Sequence, residues 1–287
     1  MAHSSLYVGI DIGGTSTRIG LFPTLDAPDC TIIARFPTNP SYDEQQRQIR
    51  ESLLSVEQVK GIGISIGGRI AKDGRSVVVA PNMPDYIGKP FAQDIEAHFA
   101  CPVRLGHDTV CGLLAEKRFG CLQSVERCAY LTVSTGTGAA IHLEKAGTAS
   151  IGLTSSIEIG HQILDGNTRQ CLCGQVGCLE TYTGGRQLEL RYGRPVSEIT
   201  DSAFWQTFCD KLALGLLNLA QLTRIEVVAV SGAIALNNAL VITGVQTKVN
   251  EMLCGSTLEL RRAQLGEMAP LVGAAMLLAT QEETILH

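Results

Sequence analysis

Long apolar runs are missing from this chain of 287 residues, although 45% of its residues are hydrophobic. A membrane-spanning helix needs about 18 or more apolar residues in succession, and no window reaches that length. The first residues, Met1 to Ser5, also lack the basic and apolar segments of a secretory signal. We therefore expect a soluble, cytoplasmic protein without a membrane partner, and the length favours roughly two domains.

Positive charge is also in short supply. The formal net charge is −5 and the isoelectric point is near 5.7. Proteins that bind nucleic acid or anionic membranes by bulk electrostatics carry a basic surplus. The charge balance therefore argues against nucleic acid as a partner and leaves small molecules as the expected ligands.

Strand and helix patterns alternate along the chain, which predicts layered α/β structure. We expect strands at residues 6–11, 18–22, 30–36, 61–65, 102–105, 128–133, 227–230 and 258–260. We expect helices at residues 42–56, 90–99, 109–119, 203–222 and 271–279. No low-complexity linker is present. The predicted domains are residues 1–115, completed by the C-terminal helix 269–287, and residues 116–268.

A glycine turn follows the first strand, in the sequence Asp11-Ile12-Gly13-Gly14-Thr15. Glycine allows positive φ and close backbone approach, and N–H groups in such turns bind anions. Asp11 would repel phosphate, but it suits a Mg²⁺ ion, met directly or through water. The alternative is an ordinary β-hairpin with Gly-Gly at its tip.

A second turn of this kind, Thr135-Gly136-Thr137-Gly138, follows the strand predicted at residues 128–133. Neither turn is a Walker A loop, and no Rossmann glycine motif occurs. We interpret the two turns as one motif used twice, once in each domain, which would hold a nucleotide's phosphates from both sides of an interdomain cleft. Two unrelated hairpins are the alternative.

Four potential metal ligands lie within eighteen residues. They are His161, Cys171, Cys173 and Cys178. Three thiolates and one imidazole suit a closed tetrahedral zinc, which would be structural because no position remains for water. A redox pair or free thiols are the alternative, and the other seven cysteines are expected to be small buried apolar residues.

Two carboxylates, Glu158 and Glu180, flank this cluster. Beside a rigid metal loop they could accept hydrogen bonds from sugar hydroxyls. Solvated surface glutamates are the alternative.

Together these residues resemble the ROK family of sugar kinases and related repressors, over nearly the whole chain. Residues 11–15 and 134–138 resemble its two phosphate motifs. Residues 158–161 with the three cysteines and Glu180 resemble its signature and zinc motif. Ser231-Gly232-Ala233 is similar to its adenosine-side turn, and Gly273-Ala274-Ala275 to its C-terminal helix motif.

The resemblance implies a two-domain actin-like ATPase fold, related to ribonuclease H, with the active site in the cleft between the domains. It also implies Asp108 as the catalytic base, ATP with Mg²⁺, a structural Zn²⁺ and a homodimer. Sugar-binding residues would be Gly67, Gly68, Asn82, His107, Glu158, His161 and Glu180. Nucleotide-binding residues would be Asp11, Gly13, Gly14, Thr15, Thr135, Gly136, Thr137, Gly138, Ser231 and Gly232. His161 would use one ring nitrogen for zinc and the other for a sugar hydroxyl.

The chain departs from the family at three places. His107 replaces the usual Asn, Ala139-Ala140 replaces extra glycines, and Ser231 replaces a glycine. These changes put the sugar contacts and the shape of the nucleotide pocket in question. They leave the base, both phosphate turns and the metal ligands in place.

The expected activity is transfer of the ATP γ-phosphoryl group to a hexose or N-acetylhexosamine, at the 6-hydroxyl. One alternative is a non-catalytic sugar-sensing regulator of the same family. Such repressors carry an N-terminal DNA-binding domain, for which we expect no room because the first phosphate turn begins at Asp11. A further alternative is an actin-like ATPase acting on a protein or carboxylate, which gives no reason for the metal loop.

Overall fold

The computed structural model describes residues 6–80, 83–144, 153–253, 257–280 and 285–286. The chain divides into two compact units. The first unit comprises Met1–Phe119 together with Met268–His287, and the second comprises Gly120–Glu267. No helix in the described part of the chain combines the length and the apolarity that a membrane crossing requires.

The elements of the first unit, in chain order up to residue 119, are β1 (Leu6–Ile12), β2 (Ser16–Phe22), β3 (Thr31–Pro37), α1 (Tyr42–Ser52), β4 (Val59–Ile66), β5 (Arg69–Ile70), β6 (Val77–Val79), α2 (Phe91–Phe99), β7 (Val103–His107) and α3 (Asp108–Phe119). A short 3₁₀ helix, Pro84–Tyr86, precedes α2.

The second unit follows with β8 (Arg127–Val133), β9 (Thr137–Leu143), β10 (Leu153–Ile157), α4 (Glu180–Thr183), α5 (Gly185–Tyr192), α6 (Ser202–Thr223), β11 (Val227–Ser231), α7 (Ala233–Asn237), α8 (Ala239–Met252) and β12 (Glu259–Arg262). Short 3₁₀ helices span Ile159–His161 and Val196–Glu198. The chain closes with α9 (Ala269–Met276) and β13 (Ile285–Leu286).

The sheet of the first unit has the strand order β3-β2-β1-β4-β7. Strands β1, β2 and β3 form antiparallel neighbours, whereas β1, β4 and β7 run parallel to one another. Parallel strands are usually covered on both faces. Accordingly, the side chains that are fully buried are Val8, Ile10 and Ile12 of β1 and Ile62, Ile64 and Ile66 of β4. The carboxyl ends of β1, β4 and β7 meet at one edge of this sheet.

The second unit repeats this arrangement. Its strands run in the order β12-β11-β8-β9-β10, with β8, β9 and β10 antiparallel and β8, β11 and β12 parallel. Strand β8 therefore corresponds to β1, and the turn after each strand occupies the same topological position. This repeated order agrees with the interpretation of the two glycine turns as one motif used twice.

Helix α9 completes the first unit by packing against β1, β4 and α3. The approach leaves no room for side chains. A Cβ added to Gly63 would lie 1.8 Å from the Ala274 carbonyl oxygen, and one added to Gly273 would lie 1.7 Å from the Cys111 carbonyl oxygen. Both glycines are therefore required by close packing.

Each of the thirteen predicted segments coincides with an observed strand or helix, with shifted ends. The helix predicted at residues 42–56 ends at Ser52, where Leu53 N–H turns back to the Arg50 carbonyl at 3.1 Å. The C-terminal helix begins at Ala269 and ends at Met276 rather than spanning residues 271–279.

Candidate active site and metal centre

The carboxyl edge of the first sheet brings several predicted site residues together. Asp11 pairs with Ser65 across β1 and β4, and Ile66 pairs with His107 across β4 and β7. Gly67 and Asp108 directly follow these paired residues. A Cβ added to Gly67 would lie 3.7 Å from Oδ2 of Asp108. Gly67 thus places no side chain against Oδ2 of the carboxylate.

Asp108 is the first residue of α3, one position earlier than the helix predicted from residue 109. Its Oδ1 accepts the N–H of Thr109 at 2.7 Å and lies 3.0 Å from Nδ1 of His107. About a third of the side chain (34%) is exposed. Surrounding protein raises the pKa of the Asp108 carboxyl, but His107 and the Thr109 N–H outweigh that effect, so the pKa lies below its usual value.

His107 reaches two neighbours with one ring nitrogen. Its Nδ1 lies 2.7 Å from the hydroxyl oxygen of Thr109 as well as 3.0 Å from the Asp108 carboxylate. The side chain is 21% exposed. The residue that replaces the family's usual Asn therefore contacts the candidate base itself.

The Asp11 carboxylate has two side-chain partners, Arg18 and Ser65. Its Oδ2 accepts from the Arg18 guanidinium at 2.7 Å, and its Oδ1 accepts from the Ser65 hydroxyl at 3.0 Å. Burial raises the pKa of Asp11, and Arg18 and Ser65 offset part of the increase. Each carboxylate oxygen thus holds one protein partner and keeps a lone pair for a further one.

The first glycine turn is hydrogen-bonded to Thr38, the residue that follows β3. The Thr38 hydroxyl donates to the Gly13 carbonyl at 2.7 Å, and Thr38 N–H donates to the Thr15 carbonyl at 3.1 Å. Thr17 and Gln45 extend this polar network, with Gln45 donating to the Thr17 hydroxyl at 2.9 Å. The backbone of the turn is thereby fixed before any ligand arrives.

Another residue predicted to bind the sugar, Gly68, directly precedes β5. Gly68 has φ +123°, and a Cβ there would lie 2.3 Å from the Val79 carbonyl oxygen, so only glycine fits. Asn82 lies outside the described residues.

The second glycine turn is anchored to the segment that carries α4 and α5. Gly185 N–H donates to the Ser134 carbonyl at 2.8 Å, and Arg186 N–H donates to the Thr135 carbonyl at 2.9 Å. Thr137 N–H donates to Oε2 of Glu180 at 2.8 Å. Gly136 does not have positive φ. It is glycine because an added Cβ would lie 2.8 Å from Oε2 of Glu180.

A cavity of about 470 Å³ lies beside this turn, within the second unit. It is lined by Ser134, Thr135, Gly185, Arg186, Glu189, Val196, Ser197, Ile199, Trp205, Ala233, Ile234, Asn237 and Asn238. Its mixture of apolar walls and a few polar groups is typical of small-molecule sites. Trp205 is the single tryptophan of the chain, and its ring N–H donates to the Ile199 carbonyl at 2.7 Å.

The turn after β11 forms one end of this cavity. Gly232 has φ +91°, and a Cβ there would lie 2.4 Å from the Val133 carbonyl oxygen. The buried Ser231 hydroxyl donates to the Gly266 carbonyl at 3.3 Å, and Ser231 is not among the residues that line the cavity. The serine that departs from the family pattern therefore points away from the cavity.

The predicted metal ligands converge. One ligand atom from each of His161, Cys171, Cys173 and Cys178 lies within 4.8 Å of all the others. Nδ1 of His161 lies 4.0 Å from Sγ of Cys171, and Sγ of Cys173 lies 3.7 Å from Sγ of Cys178. Two thiolates on a tetrahedral zinc lie about 3.8 Å apart, since each Zn–S bond is about 2.3 Å. The donor set and its spacing fit Zn²⁺.

Two features of the cluster affect the charge on its sulfur atoms. Burial, and then the neighbouring thiols of Cys173 and Cys171, raise the pKa of Cys178 to about 12. A divalent cation reverses this effect, because the thiolate is the ligand form. The Gln187 amide also donates to Sγ of Cys171 at 3.0 Å, which stabilises negative charge on that sulfur.

A match to a family model shows which protein family the chain belongs to. The model of the ROK family matches residues 7–281. This chain is a member of the ROK family. The fold is also that of a solved structure: a ROK family glucokinase from Streptomyces griseus in complex with glucose and AMPPNP has a TM-score of 0.75 at 24% identity, covering 95% of this chain and 99% of that one. The predicted actin-like α/β fold is thus confirmed.

Curated ROK relatives include both kinases and repressors. An N-acetyl-D-glucosamine kinase of Escherichia fergusonii is 28% identical, over 95% of this chain and 99% of its own length. A xylose repressor of Caldicellulosiruptor bescii is 26% identical over 73% of this chain. The chain spans only part of several curated relatives: 59% of the length of that repressor, and 39% and 55% of the length of two others.

The two glutamates that flank the metal loop of this ROK chain have different surroundings. Glu158 is exposed and precedes the 3₁₀ helix that carries His161. Glu180 is half-buried and gives one carboxylate oxygen to the second glycine turn. Its other oxygen, Oε1, has no hydrogen bond among the described residues. Only Glu180 is therefore fixed in place by its contacts.

Proposed function

We propose that this ROK protein is an ATP-dependent sugar kinase that transfers the γ-phosphoryl group to a hydroxyl of a hexose or N-acetylhexosamine, with the 6-hydroxyl as the expected acceptor. The observation that carries the proposal is the position of the Asp108 carboxylate, which lies at the carboxyl edge of the first sheet with Oδ2 towards Gly67. A regulator without catalysis has no use for such a base.

Asp108 would act as the general base. A sugar hydroxyl is a weak nucleophile and must lose its proton as its oxygen attacks the γ-phosphorus. Asp108 accepts that proton at its carboxylate while the bond from phosphorus to the bridging oxygen of ADP breaks. Thr109 N–H and His107 contact Oδ1, so Oδ2, the oxygen that faces Gly67, is the atom that takes the proton.

Each unit, taken by itself, carries groups that suit part of a nucleotide. In the first unit, Gly13, Gly14 and Thr15 offer backbone donors to phosphate. Asp11 would hold Mg²⁺, directly or through water, and this ion would neutralise charge on the phosphates. In the second unit, the turn at residues 135–138 continues directly into the 470 Å³ cavity, which is large enough for an adenosine group.

The metal loop would serve sugar recognition. Zinc held by His161 and the three cysteines would supply rigidity and take no part in the reaction. Nδ1 of His161 faces the cluster, which leaves Nε2 for a sugar hydroxyl. Oε1 of Glu180 is a second acceptor with no competing partner among the described residues, and Glu158 and Asn82 would complete the set.

A panel assay tests the proposal. The full-length protein with Mg²⁺-ATP is offered glucose, mannose, fructose, allose, N-acetylglucosamine and N-acetylmannosamine, and ADP release is measured. We expect sugar-dependent turnover with at least one of them, and phosphorus NMR then identifies the phosphorylated hydroxyl. ATP consumption that ignores every sugar would contradict the proposal, as would sugar binding without any turnover.

The second candidate is a sugar-sensing regulator, which the similarity to xylose repressors favours. Its predicted behaviour is the converse: a sugar raises the thermal midpoint of the protein, and no sugar stimulates ADP release. The homodimer implied by the family also remains a proposal, which sedimentation velocity would test.

A further inference from the structure

The carboxylate of Glu180 belongs to two structures at once. It is the first residue of α4 and lies two positions after the metal ligand Cys178. Its Oε2 accepts the N–H of Thr137, inside the second glycine turn, at 2.8 Å. A Cβ added to Gly136 would lie 2.8 Å from this oxygen, and a Cβ added to Gly160 would lie 3.3 Å from it. Glycine at 136 makes room for the carboxylate, whereas glycine at 160 is required first by the Thr137 carbonyl oxygen, 2.3 Å from an added Cβ.

The residues that follow Glu180 hold the rest of the turn. The Thr183 hydroxyl oxygen lies 2.7 Å from that of Thr137, and both are buried. Gly185 and Arg186 donate their N–H groups to the Ser134 and Thr135 carbonyls. The turn is therefore supported mainly by one short segment, residues 180–186, and not only by its own hairpin.

The same segment is attached to the metal loop at its other end. The Cys178 carbonyl accepts the Asn167 amide at 3.1 Å, the Thr181 hydroxyl at 2.9 Å and the Thr181 N–H at 3.2 Å. The loop before it, residues 172–176, is exposed. Its shape therefore depends on backbone hydrogen bonds, such as Cys171 N–H to the Gln175 carbonyl at 2.8 Å, and on a bound metal.

We propose that Glu180 is a positioning residue that couples the metal loop to the phosphate turn, so that metal occupancy sets the shape of the turn and with it the affinity for nucleotide. The coupling rests on the proposed function only where it names the ligand of the turn. The zinc site then serves the phosphate end of the reaction as well as the sugar. Glu180 divides its oxygens accordingly, with Oε2 on the turn and Oε1 open.

Hydrogen exchange tests the coupling without any ligand. Amide exchange is followed by mass spectrometry in peptides covering residues 134–139, for the zinc-loaded protein, the chelator-treated protein, Glu180→Ala and Glu180→Gln. We expect exchange in the turn to rise about tenfold or more after metal removal and in Glu180→Ala. Glu180→Gln keeps an acceptor oxygen and should lose much less protection. Peptides from residues 6–66 serve as the internal control and should not change.

A nucleotide measurement then shows the consequence. Trp205 lines the cavity, so its fluorescence reports AMPPNP binding in the absence of sugar and turnover. We expect the dissociation constant to rise at least tenfold in zinc-free protein and in Glu180→Ala. Gly136→Ala should also weaken AMPPNP binding, because its Cβ would lie 2.8 Å from Oε2 and displace that oxygen from the turn. The two substitutions should be strongly non-additive in the double variant.

The outcomes separate the coupling from the proposed function. Unchanged exchange in the turn after zinc removal and in Glu180→Ala would overturn the coupling, even if the protein is an active kinase. Additive effects of Gly136→Ala and Glu180→Ala on AMPPNP affinity would overturn it as well. A wild-type protein that binds no AMPPNP would refute the kinase proposal, and the exchange result would still decide the coupling.

Discussion

Nδ1 of His107 lies 3.0 Å from Oδ1 of Asp108, so the residue that replaces the family's usual Asn is a direct partner of the proposed base. The pair lies where β7 ends and α3 begins, and a helix N-terminus also favours a negative charge. Burial raises the pKa of Asp108, and its immediate neighbours in the sequence together outweigh burial.

The first prediction concerns the pH profile. Catalysis needs ionised Asp108, so kcat/KM should rise with pH through the pKa of that carboxyl and then level off. Because that pKa lies below its usual value, the protein should keep activity into mildly acidic solution. His107→Ala removes the partner that lowers the pKa, so the acid limb should move to higher pH. His107→Asn should lie between the two, and an identical acid limb in all three proteins would contradict this role.

The second prediction concerns Asp108 itself. Removing a general base costs about 10²–10⁴-fold in rate. We expect Asp108→Asn and Asp108→Ala to lose at least a hundredfold in kcat, while the KM for sugar and the AMPPNP dissociation constant stay within a few-fold. Asp26→Asn, at a carboxylate that is 86% exposed, is the matched control and should keep full activity. Turnover above a tenth of wild type in the Asp108 variants would refute the assignment.

The third prediction concerns the metal. Elemental analysis of the purified protein should find about one zinc per chain. The double variant Cys171→Ser, Cys173→Ser should contain none, and its KM for sugar should rise. Cys30→Ser, outside the cluster, should keep both the zinc and the KM. A full equivalent of zinc in the double variant would show that the ligands lie elsewhere.

The fourth prediction concerns packing in the first unit. Gly273→Ala would place a Cβ 1.7 Å from the Cys111 carbonyl oxygen, and backbone on both sides cannot yield easily. We expect a loss of about 3 kcal/mol or more in the free energy of unfolding, at the upper end for overpacking, measured by urea denaturation. Gly88→Ala is a useful comparison. It has positive φ but open space around it, so its cost should be about 1 kcal/mol. Equal effects would argue against steric crowding.

Much of the site could be predicted because it depends on local sequence. The two glycine turns follow apolar strands, and the four metal ligands are close in the chain, so spacing alone indicates them. Repeated topology in the two units also follows from the repeated strand and turn pattern. Elements with weaker patterns were missed. Among them α8 could have been found, since its buried Val241, Val245 and Val249 recur at helical spacing.

The rest of the site depends on contacts between distant segments, which spacing does not reveal. Arg18 was expected only as part of a strand, yet its guanidinium neutralises Asp11. Thr38 lies 25 residues from Gly13 and still fixes its carbonyl. The contact between Glu180 and Thr137 spans 43 residues. Each of these partners becomes visible only when the sheet register is known.

Helix α9 comes from the far end of the chain, yet β1 and β4 pack against it. During synthesis, residues 6–119 emerge from the ribosome first. The surface on which α9 packs stays exposed until residue 276 has been made. The second unit, by contrast, is continuous in sequence from Gly120 to Glu267. We therefore expect the core of the second unit to form, during translation, before the first unit acquires α9.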